Sequence, residues 1–187
     1  MPRRRYLFDP PDRFVAGTIG QPGDRTFFLQ ARDGPRVVSI VLEKVQVTVL
    51  AEGLGDLLAE LERRGVEGVV ASEPATAGVD DTDPLDEPIN EAFRAGSLTL
   101  GWDGEARRVL VEARAQPEDG EEMDAEDDDD EDGPDLLRVR MTADAARSFV
   151  ARAARIVAGG RPPCPLCGAP LDPQGHICPR RNGHYVN

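Results

Sequence analysis

The chain has 187 residues, 40% of them hydrophobic but only 5% aromatic, so it can bury one core built mainly from aliphatic side chains. The formal net charge of −13 is uneven, because residues 118–135 hold 13 acidic and no basic residues while the rest of the chain is formally neutral. No stretch reaches the roughly 18 to 20 apolar residues of a membrane span, and no apolar signal segment follows the basic start. The three cysteines lie in one cluster, and this odd count argues for metal rather than disulfides and so predicts a reducing, cytoplasmic setting.

The first half of the chain predicts three strands and a helix. Two alternating segments, Phe14–Ile19 and Thr26–Arg32, flank the hairpin turn Gly20–Asp24. A third strand, Val37–Leu42, precedes a helical pattern over Glu43–Arg63, although the β-branched beginning of that pattern also fits a strand. The apolar residues expected on the buried face of this helix are Val45, Val49, Leu50, Leu54, Leu57, Leu58 and Leu61.

Between the halves, Val69–Ala71 could add a short strand, and Glu73–Pro88 is rich in Pro, Asp and Gly and predicts a surface loop. The loop carries several carboxylates that could bind a hard cation. They lack the spacing and the glycine of an EF-hand, so an acidic surface loop is the favoured interpretation.

The second half repeats this order of elements. Strands Phe93–Trp102 and Arg108–Ala115 flank Asp103-Gly104, a third strand covers Leu136–Met141, and a helix runs from an N-cap at Thr142 to about residue 158. The expected buried stripe of this helix is Ala146, Phe149, Val150, Ala153, Ile156 and Val157. The side chains of Ser148, Arg152 and Arg155 on the same helix are expected to point away from this stripe.

The two halves resemble each other in sequence. Phe14 matches Phe93 at an offset of 79 residues, and Ala31 and Arg32 match Ala113 and Arg114 at an offset of 82. A steady offset favours duplication over chance similarity in a biased composition. We therefore predict an α+β fold of two β3α halves, about 6–68 and 89–160, that form a mainly antiparallel sheet with the helices on one face.

The acidic stretch Pro117–Pro134 is predicted to be a disordered insertion, because like charges repel and it has almost nothing apolar to bury. It is either a solvated insertion with no task, or an interaction tail or nucleic-acid mimic that shields the Arg-rich C-terminal half.

Residues 161–187 predict a separate zinc-binding module. Cys164, Cys167 and Cys178 are the only cysteines, and Cys-x-x-Cys followed by Gly is typical of a zinc knuckle. A tetrahedral Zn²⁺ needs a fourth ligand, which geometry leaves open between His176 and His184. Four such ligands make a closed, structural site, whereas a redox-active Cys-x-x-Cys is the less favoured alternative.

The segments Tyr6–Gly17, Arg25–Arg32 and Leu42–Gln46, with the Cys-Pro-Leu-Cys-Gly and Gly-His-Ile-Cys-Pro-Arg motifs, resemble an actinobacterial domain-of-unknown-function family, number 3090. The family's Gly-His-x-Cys-Pro-Arg motif implies His176 as the fourth zinc ligand. Its members tend to be encoded near a histidine-type phosphatase and a kinase-like protein, which implies a protein partner by association.

No catalytic residues can be assembled from these motifs, and the favoured function is a non-enzymatic binding or adaptor protein that acts through a protein partner. The alternative is a single-stranded nucleic-acid binder, since a sheet face with a zinc module can hold single strands. A third hypothesis is that the protein is an enzyme or small-ligand binder with a pocket on the sheet face. The basic residues expected to contact nucleic acid or a partner are Arg138, Arg140, Arg152, Arg155, Arg180 and Arg181.

Overall fold

The computed structural model of the protein describes residues 3–69, 81–117, 133–160, 164–168 and 178. Within them it has an α+β fold with one sheet and two helices. The strands are β1 Arg5–Phe8, β2 Arg13–Ile19, β3 Thr26–Asp33, β4 Arg36–Leu42, β5 Glu91–Asp103, β6 Arg108–Ala115 and β7 Leu136–Met141. The helices are α1 Lys44–Arg63 and α2 Ala143–Ala158.

The seven strands form one sheet in the order β1-β7-β6-β5-β4-β3-β2. Each half contributes three consecutive antiparallel strands and then a helix, and the halves join where β4 pairs in parallel with β5. This confirms the predicted fold class of a mainly antiparallel sheet with two helices. The duplication of the halves stays a prediction.

The sheet curls strongly. Its edge strands, β1 and β2, are consecutive in the chain and are joined only by residues 9–12, which can span at most about 18 Å. In a flat sheet the same edges would be separated by six strand spacings, roughly 29 Å. Contacts between β1 and β4 confirm the curl, since Arg36 donates a hydrogen bond to the carbonyl of Leu7 at 3.2 Å and stacks over the ring of Phe8.

Both helices pack on the concave face of the sheet and share one hydrophobic core. The rings of Phe14 on β2 and Phe149 on α2 stack with centroids 4.9 Å apart, which ties the far edge of the sheet to the second helix. The buried residues of α1 are Val47, Leu50, Ala51, Leu54, Leu58 and Leu61.

The expectation that Val45 and Val49 belong to this buried face is wrong. They are 65% and 58% exposed. At 100° per residue, Val45 lies half a turn of the helix from Leu54, the centre of the buried stripe.

Both helices are capped at their first turn. Thr142 caps α2 by accepting a hydrogen bond from the amide of Ala145 at 3.2 Å, as predicted. Glu43 and Gln46 form a reciprocal capping box at the start of α1. This resolves the strand alternative for the beginning of α1 in favour of helix.

A smaller hydrophobic cluster lies on the convex face of the first half. Leu85 and Ile89, from the segment between the halves, cover Val15, Phe28 and Val41 there. The segment from residue 81 onward therefore shields this part of the sheet.

Two details of the strand prediction differ from the structure. The first strand, β1, lies in a stretch with no strand prediction. Val69 is buried but lies in a turn rather than in the proposed short strand, and residues 70 and 71 fall outside the described ranges. None of the described helices is long and apolar enough to cross a membrane.

Candidate metal centre

The cysteines predicted to bind metal lie together in the structure. The sulfur atoms of Cys164, Cys167 and Cys178 all lie within 4.8 Å of one another, and Cys164 and Cys178 are buried. The structure records no disulfide among these described cysteines. Three cysteines thus lie close enough to bind a metal ion.

The backbone of the Cys164–Gly168 turn shapes this cluster. Gly168 adopts a φ of +74° and donates its amide to the carbonyl of Cys164 at 2.8 Å, which closes the turn. The amides of Cys167 and Leu166 point at the Cys164 sulfur and lower the pKa of its thiol. Amides aimed at sulfur stabilise the thiolate, and thiolate is the form that ligates metal.

The spacing of the sulfurs fits a tetrahedral thiolate site. A Zn–S bond of about 2.3 Å places two ligand sulfurs about 3.8 Å apart. The sulfurs of Cys164 and Cys178 are 3.9 Å apart, although the two residues are 14 positions apart in the chain. The fold therefore brings the third cysteine to the distance that a shared metal requires.

The two candidate fourth ligands, His176 and His184, lie outside the described residues. The choice between them stays open.

A family model described as a protein of unknown function, DUF3090, matches residues 6–178. The chain belongs to the DUF3090 family. All three cysteines of the cluster lie within the matched region. No curated protein and no solved structure matches the chain.

In this DUF3090 protein two carboxylates of the predicted acidic loop, Asp81 and Asp86, bind arginine. Asp81 accepts two hydrogen bonds from Arg13, at 2.6 and 2.8 Å, and a third from Arg152 at 2.7 Å. Asp86 accepts another from Arg13 at 2.9 Å. The hydrogen bonds from Arg13 hold the pKa of Asp81 below its usual range. These contacts fix the described part of the loop, from residue 81 onward, and they occupy oxygens that a hard cation would need.

Arg152 corrects an expectation from the sequence. It is only 6% exposed, and it donates to the carbonyls of Ala16 and Asp83 as well as to Asp81. The carbonyl of Ala16 belongs to the edge strand β2, so Arg152 covers the sheet edge and is not displayed to a partner. The sequence pattern predicts a solvated side chain at this position, because a polar residue beside a buried stripe is usually exposed to water.

The other arginines predicted as contacts are placed differently. Arg138 pairs with the buried Glu112. Arg140 lies 3.4 Å from a carboxylate oxygen of Asp9 and 3.9 Å from one of Asp103. Arg155 is exposed and lies near the Asp81 carbonyl. The remaining two, Arg180 and Arg181, lie outside the described residues.

A shallow groove, which no motif indicated, lies between α1 and β5. We call it the α1 groove. It has a volume of about 230 Å³. Its lining residues are Val45, Gln46, Val49, Gly96 and Leu98.

Proposed function

We propose that this protein is a zinc-stabilised binding protein that acts through a protein partner in a reducing, cytoplasmic setting. The observation that carries the proposal is the thiol cluster. Three cysteines from two separate chain segments converge within 4.8 Å, and the Cys164–Cys178 distance of 3.9 Å matches the edge of a tetrahedral zinc–thiolate site.

The donor chemistry supports zinc in a structural role. Thiolates select soft or borderline metals, and three thiolates with one imidazole, from His176 or His184, form a closed tetrahedral zinc site. A closed site has no open position for a substrate or a reactive water. A module of about 27 residues is too small to bury a stable core, so the metal would supply its folding energy.

The zinc assignment is tested by metal analysis of the purified full chain. We expect one zinc per chain in the wild type, and its loss in Cys164→Ser and Cys178→Ser. Leu166→Ala is the matched control, because Leu166 lies between two proposed ligands but is itself 50% exposed. A purified wild-type protein that contains no zinc, or a Cys178→Ser variant with full zinc content, would refute the assignment.

The fourth ligand is tested separately. From the family motif we expect His176→Ala to lose zinc affinity and His184→Ala to keep it. The reverse result would assign His184.

The arginine contacts favour a protein partner over nucleic acid. Arg152 is buried, and Arg138 and Arg140 lie in ion pairs with acidic residues, so their charge is already balanced within the fold. Nucleic-acid affinity requires cations that can neutralise phosphates, and it falls steeply with salt. We expect no mobility shift of single-stranded DNA or RNA at low salt, and a salt-dependent shift would support the nucleic-acid alternative instead.

A further inference from the structure

One face of α1 carries an exposed stripe that the fold does not use. We define the α1 stripe as Val45, Val49, Glu52 and Asp56, which fall within about 60° of one another around the helix axis at 100° per residue. Val45 and Val49 are more than half exposed. The stripe points directly away from the buried face, so core packing does not explain its aliphatic half.

The aliphatic half of the stripe forms one wall of the α1 groove, and Gly96 and Leu98 of β5 form the other. Gln46 fixes the two walls together, because its side-chain amide donates to the carbonyls of Ala95 and Gly96 at 3.1 and 3.3 Å. The groove is therefore preformed in the free protein, which reduces the entropy cost of binding.

The charges along α1 distinguish its stripe from the rest of the helix. Glu43, Glu60 and Glu62 each pair with an arginine. Glu52 and Asp56 are exposed and form no ion pair with any residue in the described part of the chain. An apolar groove that continues into two unpaired carboxylates is complementary to an aliphatic surface flanked by cations. The same carboxylates repel nucleic acid and anionic lipid.

We propose that the α1 groove binds an amphipathic helix of a protein partner, and that this helix presents two aliphatic side chains one turn apart with Lys or Arg in the next turn. The aliphatic pair packs against Val45, Val49 and Leu98, and the basic residues face Glu52 and Asp56. This inference rests on the proposed function as a binding protein and names the chemistry of its partner.

The test uses the full chain and a synthetic helical peptide of about 18 residues, long enough to form a helix. The peptide carries two Leu residues four positions apart with Lys on both sides of the pair, so that no binding direction is assumed. A second peptide has Glu in place of each Lys. We expect fluorescence anisotropy to detect binding of the Lys peptide that weakens as salt is added. The Glu peptide should bind more weakly than the Lys peptide by about tenfold or more.

Variants of the chain locate the binding. We expect Val49→Asp to weaken binding of the Lys peptide by about tenfold or more, since it places a charge in the apolar contact. The double change Glu52→Gln with Asp56→Asn should weaken it by about threefold and remove most of its salt dependence. The matched control is Ile19→Asp, which puts the same charge at a 45% exposed aliphatic position on β2 and should bind like the wild type. Circular dichroism and zinc content verify that each variant is folded.

Three results of the peptide experiments would overturn the proposal. They are absence of binding by the Lys peptide, equal affinity for both peptides, and undiminished binding by Val49→Asp. A wild-type dimer in sedimentation that Val49→Asp dissociates would also overturn it, because the groove would then be occupied by a second copy of the chain. If the tagged wild type and Val49→Asp retain the same protein from native cells, the groove assignment fails while the proposed binding function stands. If neither retains a protein, the proposed function fails as well.

Discussion

At the scale of single residues, Asp81 joins three parts of the fold. It accepts hydrogen bonds from Arg13 on β2 and Arg152 on α2, while its own chain segment leads to Leu85 on the convex face of the sheet. The side chain of Asp81 is 27% exposed and those of Arg13 and Arg152 are 12% and 8% exposed, so water screens these ion pairs less than it screens surface pairs.

We expect Asp81→Asn to lower the free energy of unfolding by about 2 to 3 kcal/mol at pH 7, because it removes the carboxylate that pairs with the buried Arg152 and leaves Arg13 with Asp86 alone. The folded protein lowers the pKa of Asp81 below its ordinary value of 3.8, chiefly through the hydrogen bonds from Arg13. The carboxylate therefore stabilises the fold above that value, and its contribution is lost as the pH falls through the lower pKa of the folded state. The difference between wild type and variant should shrink below about pH 4.

Urea denaturation at a series of pH values measures this difference. Asp56→Asn is the control, since Asp56 is exposed on α1 and has no ion pair within the described part of the chain, and it should change stability by less than about 0.5 kcal/mol. A stability difference for Asp81→Asn that stays constant down to pH 3 would contradict the assigned role of the ionised carboxylate.

Arg152→Lys should destabilise the protein by about 2 kcal/mol or more, because lysine cannot reproduce the fork that serves the carbonyls of Ala16 and Asp83 together with Asp81. Arg155→Lys, three positions along the same helix and exposed, is the matched control and should be nearly neutral. Thermal unfolding compares the two. Equal melting temperatures for both variants would mean that Arg152 does not cover the sheet edge as described.

The sequence revealed the cysteine cluster but not this arginine network. Cys-x-x-Cys-Gly is a local pattern whose chemistry depends on close neighbours, and the structure brings the distant Cys178 to it as expected. The pairing of Asp81 with Arg13 joins residues 68 positions apart. No local pattern encodes such a pairing, because it depends on where the curled sheet places its edge strand.

At the scale of elements, the helices and six of the seven strands follow their sequence patterns to within two residues at either end. The exception is β1, a strand of four residues that pairs with β7 across more than 130 positions of the chain. A short edge strand has too few alternating residues to produce a clear pattern. The errors on α1 had a different origin, since the angular positions of Val45 and Val49 already placed them opposite the buried residues.

Glycine positions in these elements give opposite expectations. Gly55→Ala should stabilise α1 by about 0.5 to 1 kcal/mol, because alanine is the better helix former and a Cβ there would meet no atom within 4 Å. Gly17→Ala should destabilise by about 1 to 3 kcal/mol, because its Cβ would lie 2.5 Å from side-chain atoms of Leu85. Chemical denaturation measures both variants. A stabilising Gly17→Ala would show that the segment carrying Leu85 is not packed on β2.

At the scale of the whole molecule, the acidic stretch that the sequence predicts to be an insertion connects two neighbouring strands of the sheet. Strands β6 and β7 are antiparallel neighbours, and the amide of Ala115 donates to the carbonyl of Asp135 at 2.8 Å. Residues that flank the acidic stretch on its two sides are therefore already within hydrogen-bonding distance. A tight turn could connect the same strands without moving them.

We expect replacement of residues 117–134 by a four-residue turn to leave the fold and the zinc content intact and to raise stability by about 1 kcal/mol. Closing a loop of 4 residues instead of 18 costs about 1.3 kcal/mol less entropy. The deletion removes 12 acidic and no basic residues, so the formal net charge changes from −13 to −1 and charge repulsion in the chain falls as well. Urea denaturation of the shortened and full chains at equal salt measures the gain.

A clear loss of stability would show that the acidic insertion contributes to the folded structure. New binding of single-stranded DNA by the shortened chain alone would show that the insertion shields a basic surface.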